Sequence, residues 1–243
     1  MKKLKKITFR IVLVFVILIP VAAFAHFIIF PQESRCILIA YSGFKKEGRL
    51  YFNTNTSSAK LDTLKMLIEQ ASLRVANFWG RKTANPTFIY CDTEEDFKKY
   101  GNERLDPATT QYKLGPYIII SNEGVDLDII AHELSHAELY TRLGFYKMQF
   151  KIPRWFDEGL AMQNDWRNYY SEDTLKVRSN NFKNLPDVAQ FNRGGAFNEG
   201  THEQVMLNYM AAKHAVKNWY SREQLDKLIT DLNAGKSFEE AFK

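Results

Sequence analysis

The sequence predicts an α+β domain that follows one apolar N-terminal helix. Three observations support this class. The first thirty residues combine a basic cluster with a long uncharged apolar run. Short apolar runs typical of strands then alternate with stretches whose apolar residues recur at helical spacing. The last third of the chain carries mainly helical patterns, so helices are expected to segregate there.

Formal charge is unevenly distributed along the chain. The 243 residues include 33 basic and 28 acidic residues, which gives a net charge of +5. Residues 1–35 contain six of the basic residues and one of the acidic residues. The rest of the chain therefore contains 27 basic and 27 acidic residues. The large C-terminal part is therefore formally neutral. A basic balance confined to one tail gives no support for a nucleic-acid-binding domain.

The N-terminal segment has the pattern of a transmembrane anchor. Residues 11–30 contain no formal charge and are interrupted only by Pro20 and His26. About twenty apolar residues at a rise of about 1.5 Å each cross the hydrocarbon core of a bilayer. The basic residues of 1–10 are expected to stay in the cytoplasm, which sends residues 31–243 outward as an extracytoplasmic domain.

A cleaved signal peptide is the alternative. Ala23-Phe24-Ala25 matches an A-x-A cleavage site, and Ile11–Ile19 has the length of a signal-peptide apolar region. The apolar run continues past Ala25 through residues 26–30, which favours an uncleaved single-pass anchor over a protein secreted after cleavage near Ala25. Both interpretations place the domain outside the cytoplasm.

The first half of the domain is predicted to alternate strands and helices. The expected strands are Arg35–Ser42, Arg49–Asn53 and Pro86–Tyr90; the expected helices run from Leu61 to a stop at Gly80 and from a Thr93 cap to about Gly101. Cys36 and Cys91 lie in strand-like runs. Outside the cytoplasm they could form a disulfide, and two buried free thiols are the alternative.

The middle of the chain holds the first candidate site. Residues 102–115 are polar and predicted to be a loop, a strand follows at 117–121, and a helix then runs to about Leu143 with Gly144 as its stop. This helix contains the H-E-x-x-H pattern at 132–136.

The H-E-x-x-H pattern has the chemistry of a metal site. Residues i and i+4 lie on one face of a helix, so His132 and His136 can point at a common spot. Imidazole nitrogen is a good ligand for Zn²⁺. Glu133 lies beside that spot, where a general base must sit to take a proton from water activated by the metal.

A catalytic zinc site needs a third protein ligand. Glu158 follows His136 by 22 residues, within Trp155-Phe156-Asp157-Glu158-Gly159, and Pro153 favours a helix start just before it. Asp157 is the rival oxygen ligand. Successive helical residues point about 100° apart, so the two carboxylates cannot both face the metal.

The HELSH motif followed by WFDEGLA resembles the gluzincin metallopeptidases, in whose aminopeptidase and related branches the third ligand is the glutamate of a W-x-x-E-G-x-A helix. The resemblance implies a zincin-like domain with a mixed sheet, an active-site helix and a helical C-terminal part. It implies that His132, His136 and Glu158 are zinc ligands and that Glu133 is the general base. It also implies that the edge strand, expected near Gly115–Ser121, lies along a bound peptide.

The C-terminal third is predicted to begin with a long polar connection, Asp165–Gly200, containing about one helical turn. Helices are expected at Glu203–Tyr220 and Ser221–Leu232, with a last turn opened by Ser237. The stretches YMAAKHAVKNW and LDKLITDLNAGKSFEEAF are similar to the tail of small membrane-linked peptidases of the same clan.

The resemblance, which covers roughly residues 110–243, also implies a donor to the tetrahedral oxyanion from this half of the chain. Tyr209 is the candidate catalytic residue for that role, with His202 and His214 as alternatives. The family has a further carboxylate that orients a histidine ligand, and Glu138 or Asp165 could serve.

Together these patterns predict a membrane-anchored zinc metallopeptidase that acts on a peptide or protein substrate and not on nucleic acid. The absence of a clear acidic motif to hold a substrate amino terminus favours an endopeptidase. Two alternatives remain: a catalytically inactive peptidase-fold binding module, and a zinc hydrolase of a non-peptide amide in the cell envelope.

Overall fold

A computed structural model describes residues 2–192 and 194–243, with the backbone alone for 2–11, 13 and 194. In chain order the helices are α1 (Lys2–Ile29), α2 (Pro31–Ile37), α3 (Ser58–Trp79), α4 (Glu94–Tyr100), α5 (Leu127–Leu143), α6 (Phe145–Phe150), α7 (Arg154–Ala161), α8 (Glu172–Arg178), α9 (Gly194–Asn198), α10 (His202–Trp219), α11 (Arg222–Asn233) and α12 (Phe238–Ala241). The strands are β1 (Lys45–Glu47), β2 (Leu50–Phe52), β3 (Thr87–Cys91), β4 (Ala108–Gln111) and β5 (Tyr117–Ser121).

The strands form one mixed five-stranded sheet in the order β1-β2-β3-β5-β4. The three central strands are parallel to one another, whereas β1 and β4 pair antiparallel at the two edges. The predicted α+β class with a mixed sheet is confirmed.

Helices cover both faces of the central strands, as the alternation of side chains in β3 shows. Phe88 and Tyr90 belong to the large core that includes residues of α3 and α5. Ile89 and Cys91 belong to a smaller core shared with Cys36 on α2 and with residues of α4. Because successive strand residues point to opposite faces, a strand with this pattern must be buried from both sides.

A close contact fixes the start of α5 above the sheet. A Cβ atom on Gly124 would collide with the carbonyl oxygen of Pro107, which immediately precedes β4. Asp126 then caps α5 by accepting from the backbone N–H groups of Asp128 and Ile129. The predicted end of this helix at Leu143 is confirmed, and Gly144 follows with a positive φ of 77°.

The predicted strand Arg35–Ser42 is wrong. This stretch forms α2 and a 3₁₀ turn at Ile39–Tyr41. Pro31 supplies a residue preorganised for a first helical turn. Burial then follows helical spacing, since Cys36 and Ile39 are buried and Leu38 is 48% exposed.

The predicted loop at 102–115 is wrong in part, because it contains β4. The resemblance placed the edge strand near Gly115–Ser121, but that segment holds β5, which pairs with β3 on one side and β4 on the other. The edge strand is β4. Its polar sequence, Ala108-Thr-Thr-Gln, lacks the alternating apolar pattern by which a half-buried strand is recognised.

The C-terminal third is more helical than predicted. The connection at Asp165–Gly200 contains α8 and α9 with two 3₁₀ turns, rather than about one helical turn. The predicted helices after residue 200 are confirmed as α10 and α11. The predicted capping box of Ser237 is confirmed too, since Ser237 and Glu240 each accept the other's backbone N–H.

The N-terminal segment is helical through Ile29. Among the described side chains, no single helix has both the length and the apolar composition needed to cross a membrane. Residues Val14–Ile29 and α2 meet these criteria only as a pair, which is bent by 120°. The side chains of the predicted cytoplasmic tail, 1–10, lie outside the described residues.

Of the two alternatives for the cysteines, the structure contains the free thiols. Cys36 and Cys91 are both buried and do not form a disulfide with each other.

The first prediction concerns the buried carboxylate of Glu138 on α5. It accepts hydrogen bonds from the backbone N–H groups of Thr83 and Ala84 and from the side chains of Thr83 and Arg142, at 2.6–2.9 Å. We expect Glu138→Ala to lower the free energy of unfolding by about 3 kcal/mol, because buried donors lose their acceptor. Denaturant unfolding of the full chain in detergent measures this change.

Glu47→Ala is the control for the Glu138 experiment. Glu47 pairs with Lys65 at 2.5 Å on the surface, with 55% of its side chain exposed. Its removal is expected to leave the unfolding midpoint unchanged within error. Equal losses in the two variants would contradict a structural role for Glu138.

Candidate metal centre

Three side-chain atoms from α5 and α7 converge at one point. The Nε2 atoms of His132 and His136 lie 3.1 Å apart, and the Oε2 atom of Glu158 lies 3.3 Å from the first and 3.5 Å from the second. The histidines are one turn apart on α5, and Glu158 projects from the middle of α7. These three residues could hold a metal ion.

The spacing of the three atoms suits a small ion with tetrahedral ligands. Metal–ligand bonds of about 2.0–2.1 Å at tetrahedral angles place ligand atoms about 3.3–3.4 Å from one another. The observed separations of 3.1, 3.3 and 3.5 Å bracket that value. In addition, Oε2 of Glu158 is buried without a hydrogen-bond partner among the described residues. A buried carboxylate oxygen of this kind normally has a partner, and a cation would supply one.

Asp157 orients one of the two histidines. Its Oδ1 atom lies 2.7 Å from Nδ1 of His136, so the other ring nitrogen faces the cluster. A carboxylate bound to the distal nitrogen fixes the tautomer of a metal-ligating imidazole. Asp157 and Glu158 therefore do not both face the cluster, in keeping with the angle of about 100° between successive helical residues.

The two carboxylates that the resemblance offered for this orienting role do not fill it. Glu138 is occupied by the backbone at residues 83–84 and by Arg142. Asp165 accepts from Arg167, with the Nη2–Oδ2 distance at 2.5 Å. Neither carboxylate makes a hydrogen bond to an imidazole of the cluster. Sequence distance alone could not identify Asp157, because its position relative to His136 depends on how α7 crosses α5.

Arg154 balances half of the negative charge behind the cluster. Its guanidinium pairs with Oδ2 of Asp157 at 3.1 Å and also with Oε1 of Glu158. One positive charge against two negative charges leaves the group at −1 when the imidazoles are neutral. The sequence contains a pattern that indicates these ion pairs, because Arg154 precedes Asp157 by three residues and Glu158 by four. This spacing was not among the patterns used to predict the site.

These charges shift the pKa values of the cluster in opposite directions. Burial alone would raise the pKa of Glu158, but Arg154 and His136 outweigh it and hold that pKa well below its ordinary value. Burial alone would lower the pKa of His136, but Asp157 and Glu158 outweigh it and raise that pKa. Glu158 is therefore ionised, as a carboxylate ligand must be.

Glu133 lies beside the cluster and is held from the sheet. Its Oε2 atom accepts a hydrogen bond of 2.6 Å from Oγ1 of Thr110 on β4. The same hydroxyl lies 3.2 Å from the backbone oxygen of Glu133. The edge strand therefore positions the candidate base, a link that the sequence did not reveal because β4 was not predicted.

The three candidate ligands, Glu133 and Arg154 border one cleft of about 630 Å³. The lining of this cleft includes residues of β4, α5, α7 and α10. The polar lining includes Thr110, Glu133, Arg154, Glu158, Tyr170, His202 and Tyr209. A cleft of this size with convergent polar groups is typical of a ligand-binding site.

Tyr209 lies in this cleft, with its ring centroid 6.5 Å from that of His132. Burial, reinforced by the charge of Glu158, raises its pKa well above the ordinary value, so its hydroxyl keeps a proton. His202 also borders the cleft, on its exposed side. His214 does not, because its ring stacks on Phe182 at 4.8 Å.

Gly159 brings α10, and with it Tyr209, close to the metal ligands. A Cβ atom at this position would lie 2.6 Å from the backbone oxygen of Ala212 and 2.5 Å from Cγ2 of Val216. The glycine after Glu158 is thus required by helix packing. A second tyrosine, Tyr170, was missed by the sequence analysis; its ring lies 6.3 Å from that of Tyr209.

The second prediction tests the ligand set. We expect the full chain in detergent to bind about one Zn²⁺ and Glu158→Gln to lose it, since the amide is a poor ligand in place of an ionised carboxylate. Metal content after gel filtration measures this loss. His214→Ala, which removes a histidine outside the cleft, should retain the ion. Zinc bound equally by Glu158→Gln would contradict the three-residue site.

The third prediction tests Asp157. Asp157→Asn should weaken metal affinity by about 10–100-fold while keeping the stoichiometry, because the orienting carboxylate of a histidine ligand is lost. Competition with a chromophoric chelator measures the affinity. Asp173→Asn changes an exposed aspartate on α8 and serves as the control. An unchanged affinity would show that His136 is oriented without Asp157.

The roles given to these side chains rest on their own geometry and chemistry. The donor atoms, the orienting carboxylate and the neighbouring Glu133 all come from two helices and one strand. Comparison of the chain with protein-family models, with curated proteins and with solved structures finds no match.

Proposed function

We propose that this chain is a zinc-dependent endopeptidase of the gluzincin type, anchored in a membrane by its N-terminal helix. One observation carries the proposal: Glu133 lies beside three converging ligand atoms, in a cleft that opens along an edge strand. Each component has a separate role in peptide hydrolysis.

The donor set favours zinc among the common metals. Two imidazole nitrogens and one carboxylate oxygen are the ligands of catalytic zinc sites, which keep a further coordination position open. Zinc supplies Lewis acidity, which polarises a scissile carbonyl and makes water more acidic. Within the chain, His132, His136 and Glu158 would hold the ion, and Asp157 and Arg154 would keep those ligands in place.

Glu133 is the proposed general base. Its carboxylate borders the cleft without belonging to the ligand triad, so it is free to take a proton from the attacking water and pass it to the leaving amine. The hydrogen bond from Thr110 restricts the rotation of this carboxylate. Substrate bound along β4 would therefore lie next to the group that moves the proton.

The edge strand β4 offers a backbone surface for a peptide. Ser121 donates its N–H to the oxygen of Pro107 at 2.9 Å, which sets the alternation of the β4–β5 ladder. The backbone N–H and C=O groups of Thr109 and Gln111 then point toward β5, whereas those of Ala108 and Thr110 point away from it. An extended peptide can add to this free edge, and this mode gives affinity with little sequence preference.

Tyr209 is the proposed oxyanion donor. Its hydroxyl remains protonated, and no hydrogen bond joins it to another described residue. A donor that borders the same cleft as the base can stabilise the negative charge that develops on the substrate oxygen.

The fourth prediction tests the base. Glu133→Gln should keep zinc but cleave a peptide blocked at both termini at least about 100-fold more slowly, because the amide cannot accept the proton. Cleavage is followed by mass spectrometry of a blocked peptide mixture. Glu123→Gln, on the exposed loop before α5, should cleave at the wild-type rate.

Three results would contradict the proposal in different ways. Wild-type cleavage by Glu133→Gln would exclude the assigned base. Zinc binding without cleavage of any peptide would favour a binding module or a hydrolase of non-peptide amides. Cleavage of unblocked peptides alone would indicate an exopeptidase.

The fifth prediction separates the two tyrosines of the cleft. Tyr209→Phe should lower kcat by about 100-fold with little change in KM, since the lost hydrogen bond forms only in the transition state. Tyr170→Phe is the matched comparison and should have a smaller effect. The opposite ranking of kcat values would assign the donor to Tyr170.

A further inference from the structure

The junction between α1 and α2 is a fixed elbow. Nδ1 of His26 lies 2.7 Å from Oγ of Ser34, and the rings of His26 and Phe30 lie 5.3 Å apart. The backbone N–H of Ser34 donates to the oxygen of Phe30. These contacts join the last turn of α1 to the first turns of α2 across the bend of 120°.

The elbow is also tied to the domain. Glu33 on α2 pairs with Nζ of Lys113 at 2.5 Å, and the same ammonium lies 3.9 Å from the ring centroid of Phe30. Further along α2, the thiol of Cys36 donates to the backbone oxygen of Tyr100 at 3.3 Å. The partly buried ion pair and the cation–π contact resist rotation of the domain about the end of α1.

The elbow forms one end of the cleft. Glu33 and Lys113 both border it, and Lys113 follows β4 by two residues. At about 1.5 Å per helical residue, Glu33 lies about 6 Å along the chain from the end of α1. Thr110, which holds Glu133, is three strand residues from Lys113, or about 10 Å. The Glu33–Lys113 side-chain pair adds about 10 Å to this path and the Thr110–Glu133 contact adds about 5 Å, so the proposed catalytic centre lies within roughly 30 Å of the end of the apolar helix.

Apolar side chains next to the elbow face away from the domain. Leu38 and Tyr41 are 48% and 88% exposed, although Cys36 and Ile39 beside them are buried against the domain. Leu114, adjacent to Lys113, is 60% exposed. Leucine and tyrosine side chains in these positions suit the boundary between a bilayer and water, where tyrosine is enriched.

We propose that the enzyme cleaves membrane-tethered polypeptides at bonds close to the bilayer surface. This inference rests on the proposed function, including the insertion of α1 in a membrane. The elbow limits the distance of the cleft from the surface, so a substrate needs a stem of about nine or ten extended residues, at about 3.3 Å each, to reach it. Bonds farther from the membrane lie beyond the fixed position of the centre.

The experiment compares one blocked, quenched-fluorescent peptide at two heights on vesicles that contain the full chain. The peptide must first be shown to be cleaved when free, by the full chain in detergent. It is then joined to a phosphatidylethanolamine lipid in phosphatidylcholine vesicles, either through about ten residues or through a helical spacer of about forty residues, roughly 60 Å long. The near bond should be cleaved at least about tenfold faster than the distant bond at equal surface density.

A variant of the elbow provides the second measurement. Twenty Gly/Ser residues inserted between Ile29 and Phe30 allow the domain to rise by about 25 Å, while leaving Glu33 and Lys113 in place. This variant should cleave the free peptide at the wild-type rate and lose most of the preference for the near bond.

The possible outcomes distinguish a failure of the near-membrane preference from a failure of the peptidase function. Cleavage of near and distant bonds at equal rates by the wild-type chain would overturn the inference and leave the peptidase function intact. A near-bond preference that persists in the insertion variant would also overturn it, because the elbow would not be its cause. Failure to cleave the free peptide in detergent would contradict the peptidase function and the inference together.

Discussion

The burial of opposite charges between α5 and α7 is the constraint on which the site depends. Arg154, Asp157 and Glu158 lie within one and a half turns of α7, and each carries a charge that is costly to desolvate alone. Their mutual pairing, completed by His136, offsets that cost. A net charge of −1 with neutral imidazoles makes the same group a favourable site for a cation. The arrangement that stabilises the crossing of the two helices thus also prepares the metal ligands.

Packing of the backbone decides what surrounds this charge cluster. The absence of a side chain at Gly159 lets α10 approach α7, so Tyr209 lies in the cleft and does not lie a helix diameter away. Gly124 performs the corresponding role at the sheet, where it lets the turn before α5 contact Pro107. Thr110 then reaches Glu133 from β4. The proposed base, the proposed oxyanion donor and a strand edge are brought around the candidate ligands by two close backbone contacts.

The N-terminal elbow extends this arrangement to one end of the cleft. The Glu33–Lys113 pair joins α2 to the segment that follows β4, so the same strand contacts the candidate base and the residues next to the apolar helix. The proposed orientation relative to a membrane and the alignment of the candidate catalytic groups therefore depend on the same segment of chain. This is the physical basis for relating substrate position to the anchor.

The sequence by itself determined the α+β class, the strongly periodic helices and the pairing of His132 with His136, whereas Glu158 was added to that pair only by the resemblance of its motif. Helical periodicity and ligand spacing are local properties, so a single chain reveals them. Only the tertiary structure decided that Asp157 orients His136, that Arg154 pairs with both carboxylates and that β4 is the edge strand. These features depend on which elements meet in space. The polar edge strand β4 is stabilised by pairing with β5, and the crossing of α5 and α7 brings Asp157 to His136. Neither the strand pairing nor the helix crossing leaves a periodic pattern in the sequence.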